Sequence, residues 1–205
     1  ANINILDIGC GNGGFLYAFK KDFKKNIKVN GIDIKKFSSW DKNPTDYSVH
    51  NILKNENDNF IEKYNLIILR DVIEHINFKD KKRFMRIVTS FLKNEGEILV
   101  TFPPYLSPFG LHQQTILKSF LKYFPFLSIL PESILKIIVN RFEDEDVWQK
   151  IAEIIDSGMT ISYFKKILNR TGLKIYKQRY FSIRPSHQIR YGVKTLRSPF
   201  GSIPF

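Results

Sequence analysis

The sequence has a single cysteine, Cys10, in 205 residues. One thiol excludes a disulfide framework and any zinc site built on cysteines, and it suits a reducing, cytoplasmic compartment. Long uncharged apolar runs are also lacking, so neither a membrane span nor a signal peptide is expected. Acidic residues are in the minority: 20 Asp and Glu against 32 Lys and Arg leave a formal net charge of +12. Such an excess favours contact with polyanions such as nucleic acid, phosphorylated substrates or acidic membrane surfaces. The lysines are scattered and form no long basic run, however, which favours the plainer reading of a solvated basic surface. Repeats and low-complexity tracts are absent.

What is present is an apolar content of 43%, enough for residues 1–205 to bury one sizeable core as a single domain. Ile3, Ile5 and Ile8 form an apolar strand running into Gly9, only two residues after Ala1, so a native chain extending beyond Ala1 is expected. Phe15, Leu16, Phe19 and Phe23 then recur at helical spacing, with Lys20, Lys21, Lys24 and Lys25 on the other face. Val29–Ile34 reads as a second strand, Tyr47–Val49 as a weak third, and Leu66–Leu69 as a fourth with the doubly buried look of a parallel sheet. Phe84, Ile87, Val88, Phe91 and Leu92 mark an amphipathic helix stopping near Gly96. Glu97–Phe102 is a fifth strand, ended by Pro103 and Pro104.

Strands alternating with helices imply βαβ units, hence a Rossmann-like, doubly wound and mostly parallel α/β sheet. Residues 105–158 break that rhythm. They are greasy, cut by Pro108, Pro125 and Pro131, and read as an inserted helical cover over the carboxyl edge of the sheet, where open α/β folds bind ligands. Thr160 can then cap a helix carrying Ile161, Phe164, Ile167 and Leu168, ending at Gly172. Residues 173–183 and 188–196 read as two strands joined by the turn Arg184-Pro185-Ser186-His187. A join that short makes them antiparallel.

The specific signal lies in Ile5-Leu6-Asp7-Ile8-Gly9-Cys10-Gly11-Asn12-Gly13-Gly14. Glycines after a first strand permit a tight turn and let backbone N–H groups approach a ligand. Asp33, ending the second strand, can accept from both ribose hydroxyls of a nucleoside cofactor. Gly9, Gly11 and Gly14 also satisfy G-x-G-x-x-G, a weak dinucleotide pattern. An acid two residues before the first glycine suits a cationic ligand portion better than a pyrophosphate, and Asp7 sits there.

These residues resemble the first motif, (E/D)-x-G-x-G-x-G, of the class I S-adenosylmethionine (SAM)-dependent methyltransferases, which Asp7, Gly9, Gly11 and Gly13 match. Asp71-Val72-Ile73-Glu74-His75-Ile76 is similar to the D-V-L-E-H-V segment of the subgroup that includes ubiquinone-biosynthesis O-methyltransferases. Gly96–Val100 resembles its fifth-strand motif, and the closing strand pair resembles its reversed hairpin. The resemblance implies a SAM-dependent methyltransferase, with S-adenosylhomocysteine (SAH) as product. It implies a cofactor-binding set of Asp7, Gly9, Cys10, Gly11, Gly13, Asp33, Ile34, Asn51, Ile52 and Asp71. Asn51 departs from the Asp that many relatives place there for the adenine amine, though its amide oxygen can still accept.

Methyl transfer from a sulfonium is an in-line displacement that needs a positioned nucleophile and, for some acceptors, a base. His75 follows the fourth strand and His112 the fifth, so both are catalytic candidates, as base or substrate orienter. The alternatives are a structural cap for His75 and a plain surface loop for His112. His187 reads as a solvated turn residue and His50 as a neighbour of the adenine. Asp71 and Glu74 could ligate a divalent metal, but no further acidic cluster supplies the remaining oxygens, so no metal is expected. Asp144, Glu145 and Asp146 read as a solvated helix face.

The expected acceptor is a small molecule, a phenol, sugar or similar, methylated on oxygen. The aromatic-rich cover supports this. A tRNA or rRNA methyltransferase is the alternative, supported by charge but weakened by the lack of an Asn-Pro-Pro-Tyr-type motif, so nucleic acid is allowed as a partner but not favoured. A catalytically inactive SAM-binding regulatory subunit is the third reading. Residues 116–142, apolar with interspersed lysines, could also meet a lipid interface, although a pocket lid accounts for them as well.

Overall fold

The structure, a computed structural model, describes residues 3–22, 26–42, 46–185, 188 and 192–198. Phe23, Lys24, Lys25, Ser186 and His187, to which the sequence assigns roles, lie outside these described residues.

Five strands form one parallel sheet in the order β3-β2-β1-β4-β5: β1 (Ile3–Ile8), β2 (Ile27–Asp33), β3 (Asp46–Val49), β4 (Tyr64–Arg70) and β5 (Leu92–Thr101). The chain winds outward from β1 to β3, then crosses to β4 and β5, so the winding reverses between β1 and β4. Loops leaving the carboxyl ends of those two strands splay apart there and open a crevice for ligands. β1 and β4 are central and buried on both faces, which is why they read as β-branched runs rather than alternating ones.

Each face of the sheet has its own apolar layer. On one, α1 (Gly14–Asp22) brings Leu16 against Ile5, Val29, Ile68 and Trp40. On the other, α2 (Lys81–Ser90) and α6 (Ile161–Leu168) bring Phe84, Met85, Val88, Ile167 and Leu168 against Leu6, Ile8, Ile67 and Leu69. The expected cap of α6 forms, with Thr160 Oγ1 accepting from the Tyr163 amide at 3.1 Å.

Two boundaries differ from the sequence reading. α2 stops at Ser90, and β5 begins at Leu92 rather than Glu97. Leu92 pairs with Tyr64 but Glu97 with Leu66, so extra residues are accommodated where Glu95 adopts a φ of 63° and the register shifts. The second difference is at the end of the chain. Among the described residues the antiparallel pair consists of β6 (Phe181–Ile183) and β7 (Leu196–Arg197), in a sheet separate from the main one. Residues 173–180 carry no strand, although Tyr176 Oη reaches Glu97 Oε2 of β5 at 2.9 Å. Arg184 leaves the expected turn to pair with Asp71.

Between β5 and α6 run α3 (Gln113–Ile116), single 3₁₀ turns at Phe120–Tyr123 and Leu127–Ile129, α4 (Glu132–Phe142) and α5 (Glu145–Ser157). Pro125 separates the two turns, and Pro131 caps the start of α4. This segment packs around a cluster of its own that includes Leu111, Leu121, Leu135, Val139, Val147 and Ile151. Gln113 is buried within it and ties it together, donating through Nε2 to the carbonyls of Pro108 and Phe124 at 3.0 Å each. Among the described residues no helix is long and apolar enough to cross a membrane.

Leu69 is fully buried at the carboxyl end of β4 and packs in the larger cluster. Leu69→Ala should therefore lower the unfolding free energy by about 3 kcal/mol, read as a reduced midpoint in denaturant titration.

Candidate functional site

The turn between β1 and α1 depends on backbone conformations that side chains resist. Gly9, Gly11 and Gly13 have φ of 71°, 54° and 77°. A Cβ on Gly9 would stand 2.5 Å from Val72 Cγ2, and one on Gly13 would collide with the Tyr47 ring, whereas one on Gly11 would meet nothing. The loop thus packs closely at both ends and is open at its middle.

Its backbone is pinned by neighbouring strands. The amides of Gly9 and Cys10 donate to the Ile32 carbonyl at 2.8 and 3.1 Å, and the Gly11 amide donates to Asp33 Oδ2 at 2.9 Å. From below, Trp40 Nε1 donates to the Gly11 carbonyl at 2.8 Å, Ser39 Oγ to that of Asn12 at 2.8 Å, and Tyr47 Oη to that of Gly13 at 3.0 Å. Trp40 and Tyr47 stack at 5.2 Å. Sequence reasoning missed all three of these residues. Their only signal is a pair of aromatic side chains in and beside the β2–β3 connection, far from the glycines in sequence.

Asp7, near the end of β1, is 1% exposed and its Oδ2 finds no partner. Burial raises its pKa to about 7, against the pull of Arg70 and with a further push from Asp33. Arg70 lies over the Phe15 ring at 3.8 Å. Cys10 packs its side chain into the core, where burial pushes its thiol up to about 12; only its backbone can line the loop. Asp33 and the β3 exit are joined by the His50 amide, which donates to the Asp33 carbonyl at 2.8 Å. Ile34, next to Asp33, is 71% exposed and offers an apolar surface at this edge. Asn51 Oδ1 already accepts from the Leu53 amide at 3.0 Å and keeps one lone pair for a ligand. Ile52 is buried in the core, and His50 Nε2 pairs with Asn57 Oδ1 at 2.9 Å.

A second group gathers after β4, next to the loop because Val72 abuts Gly9. Asp71 adopts a φ of 55° and its Oδ1 receives Arg184 Nη1 at 2.6 Å. Arg184 was not foreseen from the sequence, and it occupies one oxygen of a residue expected to face the cofactor. Glu74 is buried, and beyond its own amide nothing donates to either of its oxygens, so burial raises its pKa to about 8. Lys81 is fully buried yet satisfied, its Nζ donating to the carbonyls of Ile73 and Ile76 at 2.5 and 2.7 Å; burial brings its pKa down to about 8.

His75 and His112, 37 residues apart in sequence, do meet: their ring centroids lie 5.3 Å apart. Burial lowers the pKa of both, that of His112 to about 4 with His75 adding to the effect. At neutral pH both rings are neutral, so each offers one acceptor nitrogen. The edge therefore combines a pinned loop, a buried acid with one unpaired oxygen and a polar cluster that includes His112 of the helical segment. Such a set can hold a nucleoside with a cationic tail and orient a second molecule beside it.

Comparison with known proteins bears on the family and the fold. A methyltransferase-domain family model matches residues 1–178. Among solved structures, the plantazolicin methyltransferase BpumL, in complex with a pentazolic desmethylPZN analogue and SAH, superposes with a TM-score of 0.55 at 16% identity over 88% of this chain and 60% of that one. A SAM-dependent methyltransferase from Archaeoglobus fulgidus gives 0.57 at 14% identity over 91% and 68%. The CMeT domain of the citrinin polyketide synthase gives 0.54 at 13% over 96% and 45%. At these identities the likeness is one of fold. The chain spans 54–60% of the length of the first BpumL structures it matches. No curated protein sequence matches it.

Trp40→Phe keeps a ring against Tyr47 but leaves the Gly11 carbonyl without its donor. The variant should lose about 1–3 kcal/mol of stability in thermal unfolding, and Gly11 should exchange its amide faster.

Proposed function

The chain belongs to the methyltransferase-domain family, and from that membership we propose that it binds SAM at the carboxyl edge of the sheet and methylates a hydroxyl oxygen of a small molecule. The observation that carries this reading is the buried, unpaired Oδ2 of Asp7, two residues before the glycine loop. A buried carboxylate without a partner is costly. The ammonium of a SAM tail would supply the missing charge. Asp33 would hold the ribose while continuing to brace Gly11. Ile34 would cover one face of the adenine, and Asn51 would accept its amine. Cys10 and Ile52 would contribute backbone alone.

SAM supplies an electrophilic methyl on a sulfonium. In the step proposed, the acceptor oxygen attacks the methyl carbon, the carbon–sulfur bond breaks with its electrons going to sulfur, and SAH leaves neutral. The acceptor proton passes to the free nitrogen of His75. His112, with its pKa near 4, holds a proton weakly and suits orientation of the acceptor better than proton storage. Residues 105–158 would act as the lid. Support comes from the separate apolar cluster of that segment, and from α5 packing against the turn that carries Glu74 and His75. An apolar lid excludes water from a reaction that hydrolysis would waste.

A SAM-consumption screen across phenols, sugars, lipids and bulk RNA tests the acceptor class. Turnover with RNA alone would replace the small-molecule reading by the RNA one that the +12 charge supports. Asp33→Ala should weaken SAH binding by about 2–4 kcal/mol in calorimetry, and unchanged affinity would remove Asp33 from the site. Asp7 makes affinity depend on pH. Its folded pKa near 7 lies above the ordinary carboxylate value, so the folded protein keeps its proton up to neutrality and loses stability as pH rises from about 4 to 7. The ionised form binds an ammonium, so SAH affinity should rise as pH passes upward through about 7. Asp7→Asn should bind weakly and show no such rise.

A further inference from the structure

Beside the cofactor loop, Glu74, His75 and His112 form a cluster with a chemistry of its own. A carboxylate oxygen and one nitrogen from each imidazole all lie within 4.8 Å of one another. Glu74 is 3% exposed, and no group outside its own residue donates to its oxygens. The nearby cations do not serve it. Lys81 gives its Nζ to the carbonyls of Ile73 and Ile76, and Arg184 gives its Nη1 to Asp71 at 2.6 Å. The two imidazoles approach to 5.3 Å between ring centroids at a tilt of 57°. His112 is held in this position at a φ of 53°, a conformation that costs a non-glycine residue free energy and concentrates at functional sites.

We propose that Glu74, His75 and His112 bind one divalent transition-metal cation of the zinc or manganese class. Two imidazole nitrogens with one carboxylate suit such a metal, whereas magnesium and calcium prefer all-oxygen sets. Three protein ligands leave coordination positions open. An acceptor hydroxyl bound there would have its proton made more acidic at the edge where the methyl group is delivered. While the free nitrogen of His75 is held by the ion, that proton leaves to water rather than to His75. That last step alone rests on the methyltransferase reading; the cation site does not. Because Glu74 and His75 leave the sheet after β4 while His112 belongs to the helical segment, the ion also fastens that segment to the sheet.

The test is direct titration of the full chain, stripped with a chelator, using ZnCl₂, MnCl₂ and MgCl₂ in a calorimeter, with SAH titrated separately. One zinc or manganese ion per chain is expected, with magnesium far weaker. Glu74→Gln and His112→Ala should each weaken zinc binding at least ~100-fold, the upper end of what even an outer-shell change costs, while SAH affinity is retained. Manganese added to the wild type should broaden the ring signals of His75 and His112 before those of His50, a readout that needs no variant. Absence of saturable zinc and manganese binding, unchanged binding in both variants, or broadening centred on His50 overturns the site. A wild type that takes up zinc but not SAH would refute the methyltransferase reading and leave the cation site standing. A wild type that binds SAH but takes up neither zinc nor manganese would do the reverse.

Discussion

The backbone of Gly9 to Gly13 has to run through left-handed conformations and still satisfy its polar groups, and the rest of the site is arranged around that demand. Ile32 takes the first two amides and Asp33 the third, so β2 fixes the height of the loop. Trp40, Ser39 and Tyr47 donate to the carbonyls of Gly11, Asn12 and Gly13. Each bond contributes modestly by itself, because water would serve the same groups in the unfolded chain. Together they leave the loop few alternatives, while open space remains beside Gly11.

That order sets the electrostatics beneath. Asp7 is buried, with Arg70 near enough to offset its charge and Asp33 near enough to oppose it. The result is an acid poised near neutrality, whose ionisation a bound cation would favour. The same principle acts twice more after β4, with a different outcome each time. Lys81 is as buried as Asp7 but satisfied by two carbonyls, so it serves the architecture of the turn that carries Glu74 and His75. Glu74 is buried without such partners and faces two neutral imidazoles. A satisfied group and an orphaned one, separated by a single turn of structure, mark where folding ends and ligand chemistry begins.

The helical segment between β5 and α6 has a core of its own, so its fold need not be built from sheet contacts. Its connection to the sheet is nonetheless specific. The Tyr105 amide donates to the Met159 carbonyl at 2.8 Å, closing the segment at its base. Gly158 leaves room for the Tyr105 ring, since a Cβ there would stand 2.6 Å from it. With the base closed in this way, His112 is brought over the end of β4.

The sequence by itself determined the parallel α/β sheet, the glycine turn and its acid, the cap at Thr160 and the greasy character of residues 105–158. All of these rest on signals acting within a few residues: β-branched runs, positive-φ glycines, a hydroxyl before a helix, prolines that stop one. It also brought His75 and His112 to one edge, because strand order places the exits of β4 and β5 side by side. Only the tertiary structure decided which polar groups are spoken for. Asp71 and Asp7 look alike as acids near strand ends, yet Arg184, 113 residues away, takes one oxygen of Asp71 while Oδ2 of Asp7 remains unpaired. Trp40 and Tyr47 became loop supports, and the closing strands shrank to a short separate pair. Hydrogen bonding and desolvation at such a site depend on side chains that arrive from distant parts of the chain, and no local pattern encodes their meeting.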